Sequence, residues 1–150
     1  MRFNKKKIGL IVVIVFIAIQ YYRPNKNQQM ESTLDDFLLY QKAPKNIVKL
    51  MENSCYNCHS NFTKYYWYNN IAPVSWYIDS HTEKAKEGLN LSDWAIKDVR
   101  DKRAMLSAIA FNISEDKMPL PSYTLMHPDA ELSEKDKKEI MDWLYTIELK

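Results

Sequence analysis

The sequence predicts an all-α protein, a small helical domain behind an apolar N-terminal helix. Three observations carry this. Apolar residues recur at helical spacing in several segments, most cleanly at Ile140, Trp143, Leu144 and Ile147. No run of strand length alternates with period two. An unbroken apolar stretch, residues 8–19, follows Arg2, Lys5, Lys6 and Lys7. The 150 residues suffice for one domain and an extension. They divide as a signal anchor or signal peptide over 1–23, a linker and short helix over 24–43, and a domain over 44–150.

A basic flank ahead of an apolar run is the order of an export signal. No small-x-small cleavage site is visible around Ala18, which favours an uncleaved anchor. Extended to Tyr22, with Tyr21 and Tyr22 as interfacial aromatics and the lysines snorkelling, the stretch is expected to cross a thin bilayer once. The flank predicts residues 1–7 inside and the rest outside. Five of the 21 Lys/Arg lie at or before Arg23 and all 19 Asp/Glu lie after it, so the remainder sets 16 basic against 19 acidic residues, a net −3. With no basic stripe there, nothing points to DNA or RNA, and no nucleic-acid partner is expected.

Residues 24–30 are polar and aperiodic and read as a juxtamembrane linker. Ser32 or Thr33 is expected to cap a short helix that Pro44 stops. From Pro44 or Lys45 a second helix, with Ile47, Val48, Leu50 and Met51 on one face, leads into Cys55.

Cys55-Tyr56-Asn57-Cys58-His59 holds the two cysteines of the sequence. Cys-x-x-Cys-His is the spacing of c-type haem attachment. Two thiols one helical turn apart can each add to one vinyl group of a single porphyrin, and the histidine then supplies the proximal imidazole. A thioredoxin-like pair wants a βαβ context absent here. A zinc site wants a nearby fourth ligand, and the next histidine is the distant His81. A disulfide leaves His59 without a role.

The block Tyr65-Tyr66-Trp67-Tyr68 reads either as core packing or as rings walling a porphyrin and bonding its propionates. Residues 74–87 read as a helix carrying Trp76, Tyr77, Ile78 and His81, ended by Gly88. Ser92 is expected to cap the next, down to about Asn112. Prolines 119 and 121 keep Leu120 out of helix and strand interiors. Met118, in this stiff loop, is the first candidate for the sixth iron ligand, with His81, Met126 and His127 as alternatives and an open position as the remaining case. Ser133 and Asp136 form a capping signature for a final helix over 134–148.

The run from Cys55 to Ser60, Trp67-Tyr68, the sequence Ile71-Ala72-Pro73-Val74-Ser75-Trp76, His81, Leu89-Asn90-Leu91-Ser92 and Trp94 resemble the bacterial haem-binding domain family, small exported proteins with one c-type motif. Met118-Pro119, Tyr123, Leu132-Ser133, Ile140 and Trp143 resemble the Met-Pro loop and last helix of small cytochromes c. The resemblance covers residues 44–149. It implies one covalently attached haem c in a cytochrome-c-like helical fold. In the c-type cytochromes that the motif resembles, attachment occurs outside the inner membrane, so it implies a single-pass inner-membrane protein with its C-terminal domain in the periplasm.

Three functions are expected on these grounds. A His59/Met118 iron would carry electrons to unidentified redox protein partners in the respiratory chain, held near them by the membrane. A displaceable sixth ligand would allow a peroxidase-like oxidoreductase, and the Met-Pro loop also resembles that of di-haem peroxidases, although this chain has a single Cys-x-x-Cys-His. A haem-binding sensor or accessory domain ranks third. The balance favours a carrier over an enzyme.

Overall fold

The computed structural model describes residues 4–29 and 34–149. It is helical, as expected. Among the described residues the sole strand-like pairing is one antiparallel bridge between Gln28 and Phe62. The helices are α1 (Lys5–Ile19), α2 (Phe37–Tyr40), α3 (Lys45–Met51), α4 (Asn57–His59), α5 (Val74–Gly88), α6 (Val99–Ser114), α7 (Pro121–Thr124) and α8 (Glu134–Leu144).

The core is built from α2, α3, α6 and α8. Phe37, wholly buried, packs against Trp94 at 4.6 Å and Trp143 at 5.2 Å between ring centres. Ile47 and Met51 of α3, Met105, Ile109 and Ile113 of α6, and Ile140 and Leu144 of α8 surround them. α6 and α8 each bury an apolar stripe at helical spacing. Ser133 Oγ accepts from Asp136 N, and the Asp136 carboxylate accepts from Ser133 N, the reciprocal cap expected of that sequence.

Four boundaries differ from expectation. Ser32 and Thr33 lie outside the described residues; α2 is capped by Asp36, which accepts from Leu38 N and Leu39 N. Residues 91–93 form a single 3₁₀ turn capped by Asn90, and α6 starts only at Val99, capped by Asp98. Burial of Trp94 and the bonds of Asn90 to Asn61 and Asp93 hold the chain off the helical path there. Pro121 opens the short helix α7 at its first position, where the missing N–H costs nothing. The final helix ends at Leu144, and Ile147 packs on the core from a turn.

The N-terminal helix is shorter than the expected span to Tyr22. Among the described residues no helix is long and apolar enough to cross a membrane. α1 stops at Ile19, giving 15 residues, about 22 Å at ~1.5 Å per residue against a hydrocarbon core of ~30 Å. It stops because Gln20 turns onto the domain, donating to Ala72 O at 3.1 Å and accepting from Ala72 N at 2.9 Å. Tyr22 then meets Trp76 edge-on at 5.8 Å and accepts its indole N–H.

Nor is the segment after it loose. Asn27 Nδ2 donates to Ser60 O (2.8 Å) and Thr63 Oγ1 (2.9 Å), Lys86 Nζ donates to Asn27 Oδ1 (2.7 Å), and Thr63 N donates to Asn27 O. This polar stretch is stitched to the turn just beyond His59.

Candidate functional site

The helical path beginning with α3 widens into a π turn, Glu52–Tyr56, before α4 closes it. The sequence suggests an uninterrupted α-helix into Cys55. The extra residue of a π turn rotates the next turn of chain by ~100° around the axis, and such bulges gather at functional sites. It thereby re-aims Cys58 and His59.

Cys55, Cys58 and His59 line one cavity of about 480 Å³, opposite α6 and the loop after it. Met51, Leu89, Leu91, Ile109, Ile113 and Leu120 make it largely apolar, and Met118 and His81 belong to the same wall. Its size lies in the ~300–1,000 Å³ range of cofactor sites. An adjoining cavity of about 330 Å³ shares Cys58, His81, Leu120 and Tyr123 with the first and adds Tyr66, Tyr68, Tyr77, Thr82, Met126 and His127. A larger groove of about 620 Å³ between α1 and α5 carries no Cys, His or Met.

His59 Nδ1 lies 2.9 Å from Leu89 O. A carbonyl can only accept, so Nδ1 holds the proton and Nε2 keeps a free lone pair, the form an iron ligand needs. Both cysteines are free thiols. Burial, with repulsion from Cys58, pushes Cys55 up to about 12. Burial also raises Cys58, against the hydroxyl of Thr82. Both are therefore protonated at neutral pH. Among the described residues no three His, Cys, Asp or Glu side chains gather around a metal-sized site, so the zinc reading finds no further ligands.

The two spacer residues fix the motif. Tyr56 donates its phenol to Asp36 Oδ1 at 2.9 Å. Asn57 Nδ2 donates to Tyr123 OH at 2.5 Å, and Tyr123 donates to Asn53 O at 3.1 Å. Burial pushes Tyr123 up to about 12, with Asn57 pulling it down. Sequence reasoning passed over Tyr56, Asn57, Tyr123 and the Leu89 carbonyl. Tyr56 and Asn57 stand inside the motif and Tyr123 just after the Met118 loop, where the sequence assigned them no role; a backbone acceptor leaves no trace in residue type.

The sixth-ligand candidates separate. Met118 is held in its loop, with Lys117 N and Met118 N both donating to Asn112 O. His81 Nδ1 bonds Tyr77 O of its own helix, which leaves Nε2 free. Met126 and His127 line the second cavity, away from His59. His127 is buried, and its Nε2 is engaged by Tyr68 OH at 2.5 Å. The aromatic block likewise divides: Tyr66 and Tyr68 line the second cavity, Tyr65 accepts from Asn27 N, and Trp67 is 74% exposed.

An apolar slot with two thiols at i and i+3 and an oriented imidazole fits a haem. No curated protein and no solved structure matches the chain. Residues 14–146 match the haem-binding domain family, a span that includes the cavity, both thiols and His59, and the chain therefore belongs to that family.

Proposed function

We propose that this protein is a membrane-tethered periplasmic c-type cytochrome that transfers electrons through one covalently held haem. The observation that carries the reading is the placement of Cys55, Cys58, His59 and Met118 around one apolar cavity. Cys55 and Cys58 would form the thioether bonds, and His59 Nε2 would bind the iron. Met118 Sδ would take the sixth position, a ligand type that raises the potential. When bound, the haem supplies a one-electron couple. The chain holds the imidazole in one tautomer through Leu89 O, fixes the methionine loop through Asn112 O, and excludes water with Met51, Leu91, Ile109 and Ile113. Those fixed groups suit an electron carrier because little must move when the charge changes.

The tether rests on α1, whose apolar side chains from Ile8 to Ile17 are exposed and lie behind Lys5, Lys6 and Lys7. Its shortness would be met by lysine snorkelling and local thinning of the bilayer. Its partners would be redox proteins at the same membrane surface.

Haem staining of a denaturing gel tests the covalent link; persistence of stain in a Cys55→Ser/Cys58→Ser double variant refutes it. Met118→Ala is expected to abolish the sulfur-to-iron charge-transfer band and lower the potential. An unchanged spectrum and potential refute Met118 as ligand. The mass of the mature N-terminus decides between anchor and cleaved signal. His81, bordering the same cavity with Nε2 free, keeps a second reading in view: an oxidoreductase whose sixth ligand gives way to peroxide.

A further inference from the structure

The adjoining cavity is walled by an aromatic cluster that haem ligation does not use. His127 packs against Tyr123 at 4.4 Å and Tyr66 at 4.5 Å between ring centres, and Tyr66 stacks on Tyr68 at 5.8 Å. Trp67, on the surface, meets Tyr68 edge-on at 5.7 Å. The rings thus run from Tyr123, on the wall of the haem cavity, through His127 and Tyr68 to solvent.

Within this chain of rings one phenol faces a base. Oxidising a tyrosine to a neutral phenoxyl radical requires its proton to leave, so a hydrogen-bonded acceptor decides which tyrosine gives up an electron. Tyr123 donates to the Asn53 carbonyl, which does not take up a proton near neutral pH. Tyr68 faces the imidazole of His127. Burial holds His127 below its usual value, against the raising charge of Asp129 and with the lowering one of Lys64, which favours a neutral imidazole able to accept at Nε2. Tyr56 also faces a base, Asp36, but no ring contact joins it to the haem cavity.

We infer that Tyr68 and His127 form a proton-coupled redox pair that supplies an electron to the haem site when hydrogen peroxide is reduced there. Of the two electrons required, Tyr68 gives one, and a bound haem, if ferrous, would supply the other. The Tyr68 proton passes to His127 Nε2, two protons come from solvent, and hydrogen peroxide becomes two waters. Tyr68 is left as a neutral phenoxyl radical and His127 as imidazolium. Trp67 provides the exit by which an external reductant restores Tyr68. The inference rests on haem occupying the cavity and on peroxide reaching the iron, which Met118→Ala would ease.

The test is freeze-quench electron paramagnetic resonance on the reduced holoprotein, and on its Met118→Ala form, mixed with equimolar hydrogen peroxide. A radical signal that narrows with ring-deuterated tyrosine is expected, stronger in Met118→Ala, lost in Tyr68→Phe and diminished in His127→Asn. Circular dichroism and haem absorbance verify that the variants fold and load. A signal that survives Tyr68→Phe, one lost instead in Tyr123→Phe or Tyr56→Phe, or no tyrosyl signal in Met118→Ala overturns the inference. A wrong assignment of Met118 announces itself separately, in the optical spectrum before peroxide is added.

Discussion

Asn27→Ala tests whether the segment ahead of the domain is part of the haem-motif fold. The side chain makes three hydrogen bonds, two donated to Ser60 O and Thr63 Oγ1 and one accepted from Lys86 Nζ. Ser60 is 2% exposed, and its carbonyl would lose its protein partner. A net hydrogen bond contributes ~0.5–1.5 kcal/mol, and a buried group left unpaired costs ~1–3 kcal/mol. Lys86 can turn to water, so the Ser60 and Thr63 bonds dominate and the expected loss is about 2–3 kcal/mol. That is a large share of a domain stability of ~5–15 kcal/mol. Urea unfolding of the holoprotein, followed by circular dichroism and haem absorbance, is expected to show a midpoint lower by about 1 M at an unchanged slope. A loss under ~0.5 kcal/mol, the range of ordinary surface substitutions, would refute the structural role and return residues 24–30 to linker status.

Three further outcomes are expected. Phe37→Ala empties the space between Trp94 and Trp143 and should cost ~3–5 kcal/mol, read by the same unfolding curve; a cost below ~1.5 kcal/mol would mean the core closes over the gap. Asp36 is 2% exposed with Oδ2 unpartnered, and burial raises it above the usual 3.8 despite bonds from Tyr56, Leu39 and Leu38. Its stabilisation is therefore full below that unfolded value and lost as pH climbs through the raised folded one; Asp36→Asn, which keeps the acceptor for Tyr56 and the helix cap, should unfold later than wild type at pH 7, with the gap closing toward pH 4, whereas parallel pH curves would contradict the reasoning. His81→Ala should leave the sulfur-ligated spectrum of the holoprotein intact, and loss of that spectrum would move the sixth ligand to His81.

Features that repeat or are chemically rare were legible in the sequence. The stripe of α8 and its Ser133–Asp136 cap are periodic or local, and both stand where the spacing puts them. The two cysteines and His59 are unusual enough to find the cavity wall, and the family match agrees with the haem reading. The polar stretch around Asn27 gave no signal, because its partners lie some thirty residues away and a well-bonded asparagine looks like a linker asparagine. Trp94 broke the expected helix for a similar reason: burying a large indole outweighed a weak local preference for starting at Ser92. The π turn had no sequence mark, since it adds a residue to a helical path without changing residue type.

For the proposed haem, the choice of sixth ligand depends on where the cavity walls come from. The proximal and sixth ligands must approach a porphyrin from opposite faces. His59 is tied through Nδ1 to Leu89, directly after α5 ends, so the end of α5 stands beside His59. His81 sits on that same helix, eight residues before Leu89, about 12 Å along its axis. His81 is thus carried by a helix that already stands beside His59. Met118 comes from the α6–α7 loop, a separate element held by Asn112 at the end of α6. A flexible, unbranched thioether on an independently anchored loop would be free to serve as the proposed sixth ligand without displacing α5. The same placement leaves His81 at the border of the two cavities. There, an imidazole with a free Nε2 shares one cavity with Cys55, Cys58 and His59 and the other with Tyr68 and His127, and could relay a proton between them.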